Sequence, residues 1–230
     1  MNILMTRPLI DSEDLMEKLF SKGHKILHLP TLKILSLNMN PINPDKYNAF
    51  VFTSSNAVRN LKLLNENKKI ICFCVGSITE KIARQFGFQN TVSAGRNVNA
   101  LKNLIENSKS ISEKSKIAYF CGDNISYNLD SELKKEGFDI IKIINYSAEK
   151  IISLSEENKK IIEKNVPDLI FVYSLRSAQS FIEIIKNHSL YPLMTGSTVM
   201  CISKKVADFF KLVGWKKIEV FNPGEELLKL

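Results

Sequence analysis

No apolar run in the 230-residue chain approaches the roughly 18 to 20 residues that cross a bilayer, which excludes a spanning helix. The opening stretch MNILMTRPLIDSED turns charged too soon for a secretory signal, so a cytoplasmic location is expected. Glycine and proline are scarce, at 9 and 7 residues, and exclude a collagenous or long low-complexity segment. Neither of the glycine-rich phosphate cradles, GxGxxG or GxxxxGK followed by Ser or Thr, occurs, and there is no GxSxG nucleophile elbow. The 3 histidines, His24, His28 and His188, lack ligand spacing and read as structural or surface residues. Among the 4 cysteines, Cys72 and Cys74 fall on one face of an expected strand without the CxxC spacing of zinc or redox sites. Cys72, Cys74, Cys121 and Cys201 are therefore expected as reduced, buried thiols, with no metal.

Arginine is also rare. Only Arg7, Arg59, Arg84, Arg96 and Arg176 accompany the lysines in a basic set of 32 that outweighs 24 acidic residues, for a formal charge of +8. Such a balance favours acidic partners. The lysines are spread over polar faces and no basic run interleaves with aromatics, so the expected partner is a polyanionic small molecule, not nucleic acid. With no heptad seam and no long apolar stripe, a monomer is expected.

What the chain does contain is a repeat. AFVFTSSNAV (Ala49–Val58) returns as LIFVYSLRSA (Leu169–Ala178) about 120 residues later, and ICFCVGSITEKIARQFG, ending at Gly87, returns as TVMCISKKVADFFKLVG, ending at Gly214. A fainter pair is LFSKGHKILHLP around Gly23 and LKKEGFDIIKIINY around Gly137. Repetition at this scale implies two related halves, not a short-period solenoid, and two similar lobes make a cleft in which function is expected.

Strands are expected at Asn2–Met5, Lys25–Leu29, Ala49–Thr53, Lys69–Val75, Thr91–Ser93, Lys116–Phe120, Asp139–Ile144, Leu169–Tyr173, Thr198–Ile202 and Lys217–Phe221. Between them run stretches of helical period closed by Gly23, Gly87, Gly137 and Gly214. The alternation, with strands apolar on both faces, predicts an α/β fold of parallel sheets flanked by helices. Right-handed crossovers then bring every strand-to-helix turn to the carboxyl edge of its sheet. Pro30 to Asp45, with three prolines, and Tyr146 to Asn165 read as connectors. If both cross between lobes, one lobe is inserted into the other.

At that carboxyl edge Thr53, Ser54, Ser55 and Asn56 follow a strand and open a helix, so hydroxyls and backbone N–H groups there suit a carboxylate or phosphate. The competing role is simple helix capping. The motif recurs at Ser174, Arg176 and Ser177, with related turns at Gly76–Thr79 (Gly76, Ser77, Thr79) and Ser203–Lys205 (Lys204, Lys205), which argues for an anion-binding edge.

The segments ILMTRPL (Ile3–Leu9), VFTSSNAV (Val51–Val58), CVGSIT (Cys74–Thr79), FCGDN (Phe120–Asn124), INYS (Ile144–Ser147) and the turn at Ser174 together resemble the uroporphyrinogen-III synthase family, in the same order over nearly the whole chain. The resemblance implies two similar lobes, each with a parallel sheet flanked by helices, joined by a two-stranded connector. It places residues 1–34 and 148–230 in the first, discontinuous lobe and 35–147 in the second, inserted one. It further implies action without a cofactor on hydroxymethylbilane, a linear tetrapyrrole with eight carboxylates, closing the ring with inversion of ring D and loss of water. Thr53, Ser54, Thr79 and Ser174 match the family's hydroxyl positions, with Thr6, Arg7, Ser55, Gly76, Ser77, Gly122, Lys204 and Lys205 completing the expected substrate contacts. Tyr146 is the expected catalytic residue, assisting departure of the hydroxyl. Ser203–Val206 departs from the family's glycine turn and threonines, and Ile125, Ser126 and Tyr127 lack its basic residue. Those departures keep a second reading in view, a non-catalytic bilobal module binding an anionic small molecule.

Overall fold

The computed structural model describes residues 1–95, 97–222 and 224–229. The elements in chain order are β1 (Asn2–Met5), α1 (Leu9–Ser21), β2 (Lys25–His28), β3 (Leu32–Ser36), β4 (Ala49–Phe52), α2 (Ser55–Arg59), β5 (Ile71–Val75), α3 (Gly76–Gln85), β6 (Asn90–Ala94), α4 (Val98–Glu106), β7 (Lys116–Gly122), α5 (Leu129–Lys135), β8 (Asp139–Lys150), α6 (Glu156–Lys164), β9 (Leu169–Val172), α7 (Leu175–Asn187), α8 (Tyr191–Met194), β10 (Thr198–Cys201), α9 (Lys204–Leu212) and β11 (Ile218–Val220). The chain divides into two compact units, Met1–Lys33 with Glu149–Leu230, and Ile34–Ala148. No helix among the described residues is long and apolar enough to cross a membrane.

The first unit holds a sheet in the order β11-β10-β9-β1-β2, and the second a sheet in the order β3-β8-β7-β4-β5-β6. The pairings of the first sheet and those from β8 to β6 in the second are parallel. The sequence repeat explains both orders. It equates β4 with β9, β5 with β10 and β8 with β2, and under that correspondence β6-β5-β4-β7-β8 follows the same spatial order as β11-β10-β9-β1-β2. In the second unit all five strands run in one chain segment, whereas in the first the counterparts of β7 and β8 come at the start of the chain. The repeat is therefore spatial as well as sequential, with one copy opened at a different point.

Strand alternation builds a core on each face of each sheet. In the second unit Ala49 and Val51 face Leu101, Ile105, Leu129 and Leu133 of α4 and α5. Phe50 and Phe52 face Ala57, Val58 and Ala83 of α2 and α3. In the first unit Leu4, Ile170 and Val199 pack on α7 and α9, while Ile3, Met5, Phe171 and Met200 pack on Leu19 of α1. The two-faced burial is the physical origin of the continuous apolar runs. Cys72, Cys74, Cys121 and Cys201 lie within these cores as free buried thiols. Burial pushes Cys121 up to about 11 and Cys74 and Cys201 to about 12, so they are held protonated.

Two regions differ from the strands read off the residue pattern, though not from the two-stranded connector that the resemblance implied. The proline-bearing connector contains a further strand, β3, and β8 runs on to Lys150 through the polar stretch that begins at Tyr146. Proline at 30 and 41 brackets β3 without interrupting it, so composition alone hid a strand. Leu37 N–H donates to Asn145 O, and Ile151 N–H donates to Thr31 O, bonds that fix the ends of this pair of neighbouring strands.

Helices α1, α3, α5 and α9 end alike. Gly23, Gly87, Gly137 and Gly214 all have positive φ, and each donates its N–H to the carbonyl three residues back, while the next residue reaches back five. A left-handed residue allows that pair of bonds to close the helix, and glycine adopts it without a Cβ penalty. After α7 the same place is taken by Ser189, at φ 58, with Leu190 N–H on Ile185 O at 2.7 Å. Ser189 is exposed and carries the penalty the other four avoid. The Ser189→Gly variant is expected to be more stable by about 0.5–1 kcal/mol, read as a rise in the urea midpoint at unchanged slope.

Candidate functional site

In each sheet the chain leaves the central pair of strands in opposite directions. From β1 it moves out to β2 with α1 on one face; from β9 it moves to β10 and β11 with α7 on the other. From β4 it continues through α2 on one face, and from β7 through α5 on the opposite one. Where neighbouring loops diverge in this way, the carboxyl ends of the strands are left accessible, and open α/β sheets bind ligands there. The divergence falls at Thr6–Arg7 beside Tyr173–Ser174 in the first unit, and at Thr53–Ser54 beside Gly122–Asp123 in the second.

A hydroxyl bond stitches each central pair just below this point. Thr6 Oγ1 donates to Phe171 O at 2.7 Å, joining β1 to β9, and Thr6 O accepts both the N–H and the hydroxyl of Thr31. Tyr119 Oη and Thr53 Oγ1 lie 3.2 Å apart, joining β7 to β4. Thr6 is 0% exposed and its hydroxyl is engaged within the sheet. Thr53 is half-buried and remains at the edge. Burial pushes the Tyr119 phenol well above its ordinary value, so it stays protonated against Thr53.

Arg7 projects from the end of β1 and its guanidinium carbon stands 4.5 Å from the centroid of the Tyr173 ring, which itself packs on Phe171 and Phe221. The stack holds the cation in a fixed place. Burial, then the charge of the buried Glu226, raises the Tyr173 pKa far above the phenol range, against the opposing pull of Arg7. His28 Nε2–H donates to Arg7 O at 2.8 Å, the structural role expected of that histidine, and His188 Nε2 accepts the N–H of Leu154 at 3.0 Å. Ser174 caps α7: its Oγ accepts Ser177 N–H at 3.0 Å and donates to Ser177 Oγ at 2.9 Å. Lys204 and Lys205 are exposed in the first turn of α9, whose N-cap Ser203 makes no side-chain capping bond.

In the second unit Ser54 caps α2 by accepting Asn56 N–H at 3.2 Å. Ser55 is buried and accepts from Arg59 at 3.1 Å, so its hydroxyl braces the five-residue helix from within. Gly76 opens α3 at φ 75, Ser77 is exposed beside it, and Thr79 is 5% exposed. Tyr146 lies half-buried near the end of β8, opposite Gly122. The structure therefore gathers Arg7 and Ser174 at one central edge and Thr53, Ser54, Gly122 and Tyr146 at the other. Gly76–Thr79 and Lys204–Lys205 sit one strand outward on their own sheets. Sequence reasoning missed Tyr119, Asn145 and Glu226. The first two lie inside strands, and Glu226 lies more than fifty residues from Tyr173 in sequence, so no local spacing marks any of them. Among the described residues no group of three or more His, Cys, Asp or Glu side chains is placed to hold a metal ion.

A family model described as uroporphyrinogen-III synthase HemD matches residues 13–223. No curated protein matches the chain in sequence. Among solved structures, the chain is similar to uroporphyrinogen-III synthetase from Helicobacter pylori, at 17% identity, a TM-score of 0.65, and coverage of 98% of this chain and 94% of that one. It is also similar to a mutant uroporphyrinogen III synthase from Thermus thermophilus, at 14% identity, a TM-score of 0.54, and coverage of 98% and 94%. Those likenesses support the two-sheet α/β fold.

The Gly76 turn is held from one turn further along α3. Glu80 Oε1 accepts from Arg84 Nη2 at 2.8 Å, Arg84 Nε at 3.2 Å and Thr91 Oγ1 at 3.1 Å, tying α3 to β6. A hydrogen bond from Ser93, then those from Arg84 and Thr91, hold its carboxyl below the ordinary value despite partial burial. The folded pKa is depressed, so the stabilisation is present above the unfolded value of 4.5 and is lost as pH falls through the lower folded value. As pH falls from 4.5 through that lower value, wild-type protein is expected to lose stability more steeply than Glu80→Gln, measured by urea unfolding across an acid series.

Proposed function

Because the chain belongs to the uroporphyrinogen-III synthase family, we propose that it cyclises hydroxymethylbilane to uroporphyrinogen III, inverting ring D and releasing water, without a cofactor. The observation that carries this reading is the family match over residues 13–223. The substrate's eight carboxylates suit a chain of net charge +8 with helix N-termini gathered at each carboxyl edge. In the proposed mechanism Arg7, Lys204 and Lys205 supply cations, and Thr53 and Ser54 supply hydroxyls. Backbone N–H groups at the starts of α3, α7 and α9 receive further carboxylates.

The bilane's terminal hydroxymethyl group leaves as water once its oxygen is protonated, with the pyrrole nitrogen lone pair expelling it. The methylene carbon left behind is electrophilic. For inversion the far pyrrole ring attacks it through the α-carbon that already carries its methylene link; that link then breaks, leaving a second electrophilic methylene carbon on the neighbouring ring, and re-forms at the far ring's other α-carbon, whose proton is released. Free bilane closes directly, without inversion. The catalyst's work is therefore to hold one bent geometry and supply one proton, a task of positioning and preorganised electrostatics. Tyr146 is the proposed proton donor. A phenol with a reference pKa of about 10 carries its proton at neutral pH.

The test supplies hydroxymethylbilane, oxidises the products and resolves the type I and type III isomers by chromatography. An excess of type III over the protein-free control is expected. A type I fraction equal to that control replaces the synthase with the non-catalytic binding module. Tyr146→Phe is expected to lower kcat by roughly 10²-fold, the ordinary contribution of a positioned general acid, with KM little changed. Unchanged turnover removes Tyr146 from the mechanism.

A further inference from the structure

The strand that carries Tyr146 breaks its own alternation one residue before it. β7 and β8 pair residue for residue from Lys116 with Asp139 to Cys121 with Ile144, after which Gly122 faces Tyr146 and Asn145 is left as an inserted residue. Strict alternation from Ile143 would send Tyr146 to the face of Ile144, which is 43% exposed. With Asn145 inserted, Tyr146 instead joins Ile143 against the cluster of Phe50, Phe52 and Phe120. A bulge that re-aims one side chain is a recurrent device beside active sites.

Two residues hold that device in shape. Asn145 is fully buried, its Nδ2 donates to Ala57 O in α2 at 2.7 Å, and its backbone O accepts Leu37 N–H. Its Oδ1 has no partner among the described residues, a destabilising feature for a buried acceptor, so the amide's value lies in the geometry it fixes. At Gly122 a Cβ would stand 2.8 Å from both Cε2 and Cζ of Tyr146 and 3.0 Å from its Oη. Gly122 is not among the glycines with positive φ, so its backbone is open to any residue and only the tyrosine ring excludes one. Asp123 N–H then donates to Tyr146 O at 3.0 Å and Asp123 Oδ1 accepts Ala148 N–H at 3.3 Å, closing the loop around the ring's own backbone.

We infer that Gly122 and Asn145 are positioning residues for Tyr146: the inserted asparagine turns the tyrosine to the Gly122 side, and the missing Cβ of Gly122 gives its ring the space in which its hydroxyl is aimed. The activity arm of this inference rests on the synthase reading; the packing arm does not. Gly122 thereby changes from an expected substrate contact to a support for the catalytic phenol.

The experiment compares wild type, Gly122→Ala, Tyr146→Ala and the double variant by thermal unfolding, and wild type, Gly122→Ala, Asn145→Ala, Tyr146→Phe and Gly122→Ala/Tyr146→Phe by isomer-resolved kinetics. Gly122→Ala is expected to lower Tm by roughly 2–10 °C through overpacking, and to lower it hardly at all when Tyr146 is already alanine. If Gly122→Ala fails to fold alone, folding of the double variant supports the inference and its failure to fold overturns it. In kinetics, Gly122→Ala and Asn145→Ala are expected to lower kcat by on the order of 10²-fold with KM within about twofold, the signature of a displaced reacting group. Added to Tyr146→Phe, Gly122→Ala is expected to change kcat by less than about threefold, since both remove the same contribution. Equal Tm losses with and without the tyrosine ring, multiplicative kcat losses, or a raised KM at unchanged kcat would each overturn the inference. A wild type that leaves the isomer ratio at its protein-free value overturns the synthase reading instead, and the Tm comparison then decides the packing arm alone.

Discussion

Strand direction is the constraint on which the rest depends. Because β1, β2, β9, β10 and β11 run parallel, as do β4 to β8, each helix that follows a strand starts at the same edge of its sheet. Helix N-termini carry unpaired N–H groups and the positive end of the peptide dipoles. A parallel sheet therefore collects electropositive backbone along one rim before any side chain is chosen. Antiparallel pairing of the same strands would scatter these starts over both rims, and the hydroxyl turns at Ser54 and Ser174 would have no common edge to occupy.

Within that plan the two units solve the same problem with different side chains. The central pair at each switch point needs a lateral tie, because the covering helices diverge there and cannot brace both strands from one side. The first unit uses the buried Thr6 hydroxyl on Phe171 O, and the second uses the Tyr119 phenol against Thr53. The difference decides which group each edge presents. Thr6 spends its donor inside the sheet, which leaves Arg7, stacked on Tyr173, as the edge group of β1. Tyr119 reaches up from within the sheet to a hydroxyl that stays at the surface, so Thr53 is oriented without being withdrawn from the edge.

The parts of this architecture that were legible in sequence are those written in local chemistry. Gly23, Gly87, Gly137 and Gly214 marked helix ends because glycine takes the left-handed closing conformation without a Cβ penalty, and the paired phrases at Ala49 and Leu169 marked equivalent strands. The stretches that were misjudged depend on partners distant in the chain. β3 carries Leu32, Ile34 and Leu35, but the prolines at 30 and 41 make the stretch read as a connector, and its pairing is settled by its neighbour β8. The insertion of Asn145 cannot be read from INYS, because a bulge is defined by the register with β7. The hydroxyl of Thr6 looked like an edge donor, since nothing in ILMTRPL reveals that Phe171 O lies beside it.

The start of α9 shows how stability and the proposed function pull apart. Lys204 and Lys205 stand in the first turn, where the dipole disfavours cations by about 0.3–1 kcal/mol each at an exposed site. Ser203, which occupies the N-cap, makes no side-chain capping bond to offset them. Folding alone gains nothing from this arrangement, and an acidic residue in either place would suit the helix better. With a carboxylate at the turn the signs reverse: dipole, open N–H groups and two ammonium groups then all favour the same anion. On the proposed function, the local destabilisation of the free chain would be recovered as affinity for a carboxylate at this turn.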